Sequence, residues 1–161
     1  FNIFNSLSDG TAIASALAMT KYSDSMNERV DSVRRKLDVD VCSLYLAHPD
    51  RQTLEIVATS GLHQSVIGKQ LSYDQGLTGK VARTRLPVVA RVIQDHADYF
   101  HVAGSGEERF KSYLGIPLEH DGELHGVLVV QTEQTKTFFH RHIQEVHSAG
   151  RDLMAGLVAL T

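Results

Sequence analysis

At 161 residues, 42% of them apolar and 22% charged, the chain has the length of one domain and enough apolar material for a substantial core. A net charge of −3 gives no electrostatic reason to expect nucleic acid or a membrane surface, and no apolar run approaches the ~20 residues of a spanning helix. The single Cys42 excludes an intrachain disulfide and a zinc site built on several cysteines, and it fits a cytoplasmic location.

Residues 1–38 are expected to be mostly helical. Ala12, Ala16, Met19, Met26, Val30, Val33 and Leu37 keep a four-three spacing along one stripe, the seam of a helix packed against something. The polar stretch 21–24 is a place for this helix to break in two, with Ser23 or Asp24 capping the second piece. Residues 41–47 (VCSLYLA) and 53–60 (TLEIVATS) read as two strands of a hairpin, joined through His48-Pro49-Asp50-Arg51-Gln52. Residues 62–70 are irregular with room for a short helix, 71–73 form a short strand or extended link, and 77–84 a short helix. Residues 87–92 are strand-like, and 93–106 polar and irregular, with one or two short helices.

Residues 111–131 (KSYLGIPLEHDGELHGVLVVQ) predict a second hairpin. Its turn is Asp121-Gly122, a pair that tolerates the positive φ of two-residue loops. Ser112, Leu114, Ile116 and Leu118 fall on one face of the first strand. Strict alternation along the second puts Leu124, Gly126, Leu128 and Val130 on one face and His125, Val127, Val129 and Gln131 on the other. Because residues 127–130 are apolar on both faces, this strand is expected at the centre of a sheet covered on both sides. The chain closes with a helix over 138–160. There Phe139, Ile143, Val146, Gly150, Leu153, Leu157 and Leu160 form one stripe, and Ala149, Met154 and Val158 a second that can offer a seam to a partner.

The layout predicts an α+β fold with a single antiparallel sheet of five or six strands. The terminal helices would cover one face, and the long irregular segment 62–106 would roof a ligand pocket on the other. Alternation on the first two strands gives Ser43, Tyr45 and Thr59 as polar wall residues, and the middle segment and its junction add Arg91, His96, Phe100 and Arg109. Arg109, in the run Glu107-Glu108-Arg109, reads either as a ligand-carboxylate partner or as a structural anchor of the roof.

The remaining motifs carry little chemistry. The nine histidines show no metal-ligand spacing, since His140 and His142 point about 200° apart on a helix. Cys42 reads as a buried structural thiol, because an oxidised thiol needs a resolving partner and the chain has no second cysteine. Gly76-Leu77-Thr78-Gly79-Lys80 lacks the full spacing of a phosphate loop. Its glycines would permit a turn into a helix whose first N–H groups suit a carboxylate or phosphate. No catalytic residues, metal or cofactor are expected.

Four stretches carry a resemblance: DVCSLYL at 40–46, LEIVATSGL at 54–62, DQGLTGKVARTRLPVV at 74–89 and YLGIPLEHDGELHGVLVVQ at 113–131. Together they resemble GAF domains, sensory modules related to PAS domains, over residues 26–160. GEERFKSYLGIPL followed by GVLVVQ is similar to the N-terminal GAF domain of enzyme I of the nitrogen phosphotransferase system. In that family phosphoenolpyruvate phosphorylates a histidine in a separate, later domain. The resemblance implies a GAF domain over 26–161 ending in a signalling and dimerisation helix, which leaves residues 1–25, helical by their spacing, as an extension before it. It adds Leu77 and Thr78 to the ligand site.

It also implies a regulatory module that is not an enzyme by itself, with glutamine or 2-oxoglutarate as ligand, and the heptad spacing of residues 139–160 predicts a homodimer through the terminal helices. The Asn-Lys and Asp-Glu pairs of cyclic-nucleotide-binding relatives are missing from residues 131–138. Two alternatives stand beside this reading. One is a dimerisation or protein-interaction module with a vestigial pocket; the other is a sensor from another bacterial signalling protein, such as a histidine kinase, diguanylate cyclase or transcription activator.

Overall fold

The computed structural model describes residues 11–100 and 109–160, with side chains over 24–100 and 109–158. The strands are β1 (Val41–His48), β2 (Thr53–Ser60), β3 (Gln70–Ser72), β4 (Val88–Ala90), β5 (Ser112–His120) and β6 (Glu123–Thr132). The helices are α1 (Thr11–Leu37), α2 (Gly76–Thr84) and α3 (His140–Leu160), with single turns of tighter helix at Gln64–Val66 and Ile93–Asp95. All six strands form one antiparallel sheet in the order β3-β2-β1-β6-β5-β4. The α+β expectation holds, with its two hairpins in one layer.

β6 lies between β1 and β5, and Val127, Leu128, Val129 and Val130 are almost wholly buried. Their alternation feeds two separate cores. Leu128 and Val130 join Cys42, Leu44, Leu114 and Ile116 beneath α1 and α3, which contribute Met26, Val30, Val146, Leu153 and Leu157. Val127 and Val129 join Val41, Tyr113 and Phe110 on the opposite face, beneath α2 with its Leu77 and Val81. Asp121 and Gly122 adopt φ of 51° and 76°, so both central residues of the β5–β6 turn sit in the left-handed region that a tight twisted hairpin needs.

Two expectations are corrected. α1 runs unbroken from Thr11 to Leu37, through the stretch where polarity suggested a break. Asp24 and Ser25 are exposed there, and a polar residue on the solvent side of a helix loses only a few tenths of a kcal/mol of propensity, far less than Gly or Pro. Leu124 does not share a face with Gly126 and Leu128. Leu118 pairs with Gly126 but Glu119 pairs with Leu124, so His125 is an inserted bulge residue and Leu124 turns to the α2 side. The expected helix over residues 1–10 and the side chains of Ala12, Ala16, Met19 and Leu160 lie outside the described residues.

The start of α3 depends on a histidine. The Phe139 N–H donates to His142 Nδ1 at 2.8 Å, an N-terminal cap contributed from inside the first turn. The bond requires an unprotonated Nδ1. Desolvation, with help from Arg141 and Lys136, holds the ring's pKa below its usual 6.5. The folded state therefore prefers the neutral ring. Its contribution to stability is complete above the unfolded-state value and is lost as pH falls below about 6.5. Urea midpoints taken between pH 7.5 and 5 should fall more steeply for the wild-type protein than for His142→Ala, which should be less stable at pH 7.5.

Candidate functional site

On the α2 side of the sheet the chain leaves a cavity of about 290 Å³. Tyr45 and Gln131 form part of its floor, from the neighbouring strands β1 and β6, and Tyr113 lies beside them on β5. Gln70 and Leu71 enter from β3, Gly76, Leu77 and Thr78 from the first turn of α2, and Ile93, Tyr99 and Phe100 from the segment after β4. The described lining is three amides, three phenols, one hydroxyl and apolar groups, with no charged side chain.

The geometry of each wall follows from local sequence. The Tyr113 ring folds back over Gly115, where a Cβ would stand 2.5 Å from the phenol oxygen. Only a glycine leaves that path open, and it delivers the Tyr113 hydroxyl to within 2.8 Å of Thr78 Oγ1 on α2. Burial pushes the Tyr113 phenol above its usual pKa, so the group remains a protonated hydroxyl that can donate as well as accept. α2 approaches the sheet closely because residue 79 is glycine: a Cβ there would stand 2.7 Å from the Ser72 carbonyl oxygen and 2.8 Å from that of Tyr73. Gln75 precedes the helix and makes no side-chain capping bond, so among the described residues no side chain caps the first-turn N–H groups at the cavity wall.

The site residues expected from sequence divide into two groups. Tyr45, Leu77, Thr78 and Phe100 meet in the cavity lining. Ser43 and Thr59 pair across β1 and β2, with hydroxyl oxygens 2.9 Å apart, and both are buried outside that lining. His96 Nδ1 accepts the Asp98 N–H at 3.1 Å, and the Arg91 carbonyl accepts from Ser112 Oγ, so these two shape the segment that carries Phe100. Arg109 extends over the Phe110 ring, 4.7 Å from its centroid, with Nε 3.5 Å from Glu133. Glu107 and Glu108 lie outside the described residues. Tyr113, Tyr99, Gln131, Gln70 and Gln75 line the cavity without having been singled out. Gln131 was legible, because it follows Val127 and Val129 in alternation on the face turned to α2.

Among the described residues no three His, Cys, Asp or Glu side chains converge on a site for a metal ion, and no helix is long and apolar enough to cross a membrane. Cys42 is fully buried on the other face of the sheet, against the terminal helices. Burial pushes its pKa up to about 12, against a weak opposing pull from Arg34. It takes no part in the cavity.

A family model described as GAF domain matches residues 23–152. The chain is 32% identical over 100 residues to the Escherichia coli K12 protein named phosphoenolpyruvate-dependent phosphotransferase system; the match covers 61% of this chain and 13% of the relative's length. The chain therefore spans a small part of that protein. It superposes with a TM-score of 0.79 and 27% identity on the GAF domain of a phosphoenolpyruvate-protein phosphotransferase from Coxiella burnetii, covering 86% of this chain and 83% of that one. The GAF domain of the corresponding Acinetobacter protein gives 0.76 and 26%, covering 86% of this chain and 82% of that one. Cys42 in the native protein should react with an aromatic disulfide reagent at pH 8 about a thousandfold more slowly than in urea, since the thiolate is the reactive form; a rate within tenfold of the unfolded value would mean the thiol is accessible.

Proposed function

This chain belongs to the GAF domain family, and from that premise we propose that it senses a small metabolite and regulates a phosphoenolpyruvate-dependent phosphotransferase carried elsewhere in the protein. The 161 residues hold a GAF domain, and we read it as a regulatory module. The observation that carries the sensing role is the cavity, polar and apolar by turns and walled on one side by a segment that is not part of the sheet. Of glutamine and 2-oxoglutarate, glutamine matches the described lining better. It is net neutral, its amide can pair with Gln70, Gln75 or Gln131, and its carboxylate can meet the first-turn N–H groups of α2, which the Gln75 side chain does not cap. 2-Oxoglutarate would bring two negative charges to a wall whose described side chains include no cation.

In this reading Tyr45, Leu77, Thr78 and Phe100 touch the ligand, together with Tyr113. Ser43, Thr59, Arg91 and His96 support the walls, and Arg109 stands apart from them against Phe110 and Glu133. Residues 26–161 form the sensor, and α1 continues N-terminal to it through residues 11–25. A ligand with different affinity for two arrangements of the wall shifts their populations, and the terminal helices pass the shift on.

A metabolite panel including both candidates, scored by thermal shift, tests this. A true ligand at about 100 times its Kd adds about 2.7 kcal/mol to stability. Thr78→Val and Tyr113→Phe should each weaken binding about tenfold, with Arg109→Ala leaving it unchanged. A panel in which nothing raises the melting temperature sinks the sensing role.

A separate observation favours homodimerisation. A groove of about 610 Å³ runs between α1 and α3, with Val33, Leu37 and Ala149 in it and both signs of charge on its rim, from Arg29, Arg141, Glu145 and Asp152. Leu153 also borders the groove but is buried, so Ala149→Glu is the cleaner disruption. Sedimentation should show a dimer that Ala149→Glu converts to monomer without loss of helical signal; a monomer at every concentration removes the dimer.

A further inference from the structure

Two walls of the cavity come from pieces of chain that have no covalent reason to stay together: the first turn of α2, and a strap over residues 91–100 that ends at Tyr99 and Phe100. α2 is fixed to the sheet. Leu77, Val81 and Ala82 are buried, Gly79 lies against the carbonyls of Ser72 and Tyr73, and the Arg83 guanidinium donates to the Tyr73 carbonyl. The strap is fixed at its beginning. Ile93 is buried with its N–H on the Lys111 carbonyl at 2.6 Å, and Gln94 Nε2 donates to the Phe110 carbonyl at 3.1 Å.

The far end of the strap meets α2 through Asp98. Its carboxylate lies 2.8 Å from Lys80 Nζ and 3.7 Å from an Arg83 guanidinium nitrogen. His96 Nδ1 is 3.6 Å from the same carboxylate but accepts the Asp98 N–H, so that nitrogen has no proton to offer it. Lys80 is therefore the main partner. The next residues along the strap, Tyr99 and Phe100, line the cavity, and Phe100 is half exposed at 51%.

We propose that Lys80 and Asp98 form a clasp that holds the strap across the cavity and sets how readily a ligand enters, an inference that rests on the cavity being the ligand site. Neither residue lines the cavity. They are positioning residues, acting through Thr78 on one side and Tyr99 and Phe100 on the other. Both side chains are about one-third exposed, at 35% and 30%. A pair in that setting is weak and sensitive to salt, which suits an element that must open and close. A buried pair would be strongly costly to break.

Hydrogen exchange on the ligand-free full chain tests the clasp. In Asp98→Asn and in Lys80→Met, amides of residues 91–100 should exchange about two- to fivefold faster, with β1 and β6 retaining wild-type protection. The exchanged pair, Lys80→Asp with Asp98→Lys, should restore slow exchange. About 1 M salt, where the screening length is about 3 Å, should move the wild-type strap toward the single variants. Unchanged exchange in the strap of both single variants overturns the clasp. So does failure of the exchanged pair to restore protection, and so does an equal acceleration across β1 and β6, which would make the pair a general stabiliser. None of these readouts involves a ligand, so a strap loosened in the variants beside an unresponsive metabolite panel would keep the clasp and remove only the sensor.

Discussion

The constraint on which the structure depends is the two-sided burial of β6. A strand with apolar side chains on both faces must be covered twice, and each cover must be built from a different part of the chain. The terminal helices supply one cover, with Val30, Val146, Leu153 and Leu157 against Leu128 and Val130. α2 and its neighbours supply the other, against Val127 and Val129. The two covers differ in kind. Helices of 27 and 21 residues close one face with continuous stripes. The other face has a nine-residue helix, single turns and loops, which cannot tile a sheet completely. The cavity is the space they leave.

The sheet's register decides which side chains reach that space. On β2, Ala58 pairs with Leu44 but Ile56 pairs with Tyr45, so Val57 is an inserted residue. This shift lets Leu54 join the α2-side core while Ala58 joins the other one. On β6, His125 plays the same part and sends Leu124 across. In each hairpin the inserted residue thus lets one strand, β2 or β6, change sides partway along while its partner, β1 or β5, keeps its alternation.

The fold was largely legible because its signals are local. Apolar runs, the Asp121-Gly122 turn and the four-three stripes each determine a structure within a few residues, and the strands came out within about two residues of where the pattern placed them. The bulges were not legible, since alternation carries no sign of an extra residue until the partner strand is known. α1 was misjudged for a related reason: a polar stretch marks a helix break only if it faces the core. The cavity lining was half legible. Tyr45 sits on a strand whose faces the pattern defines, and Thr78 follows from the family resemblance. Tyr113 reaches Thr78 only by lying over Gly115, and the tie between Asp98 and Lys80 spans a loop whose course no periodicity describes.

The placement of aromatic rings has a practical result. The chain has five tyrosines and no tryptophan. Three of the five, Tyr45, Tyr99 and Tyr113, stand around the same small hollow. Ultraviolet emission from the unlabelled protein therefore comes in large part from the walls of one chamber, with no indole to drown it, and the molecule carries its own optical probe of whatever occupies that space.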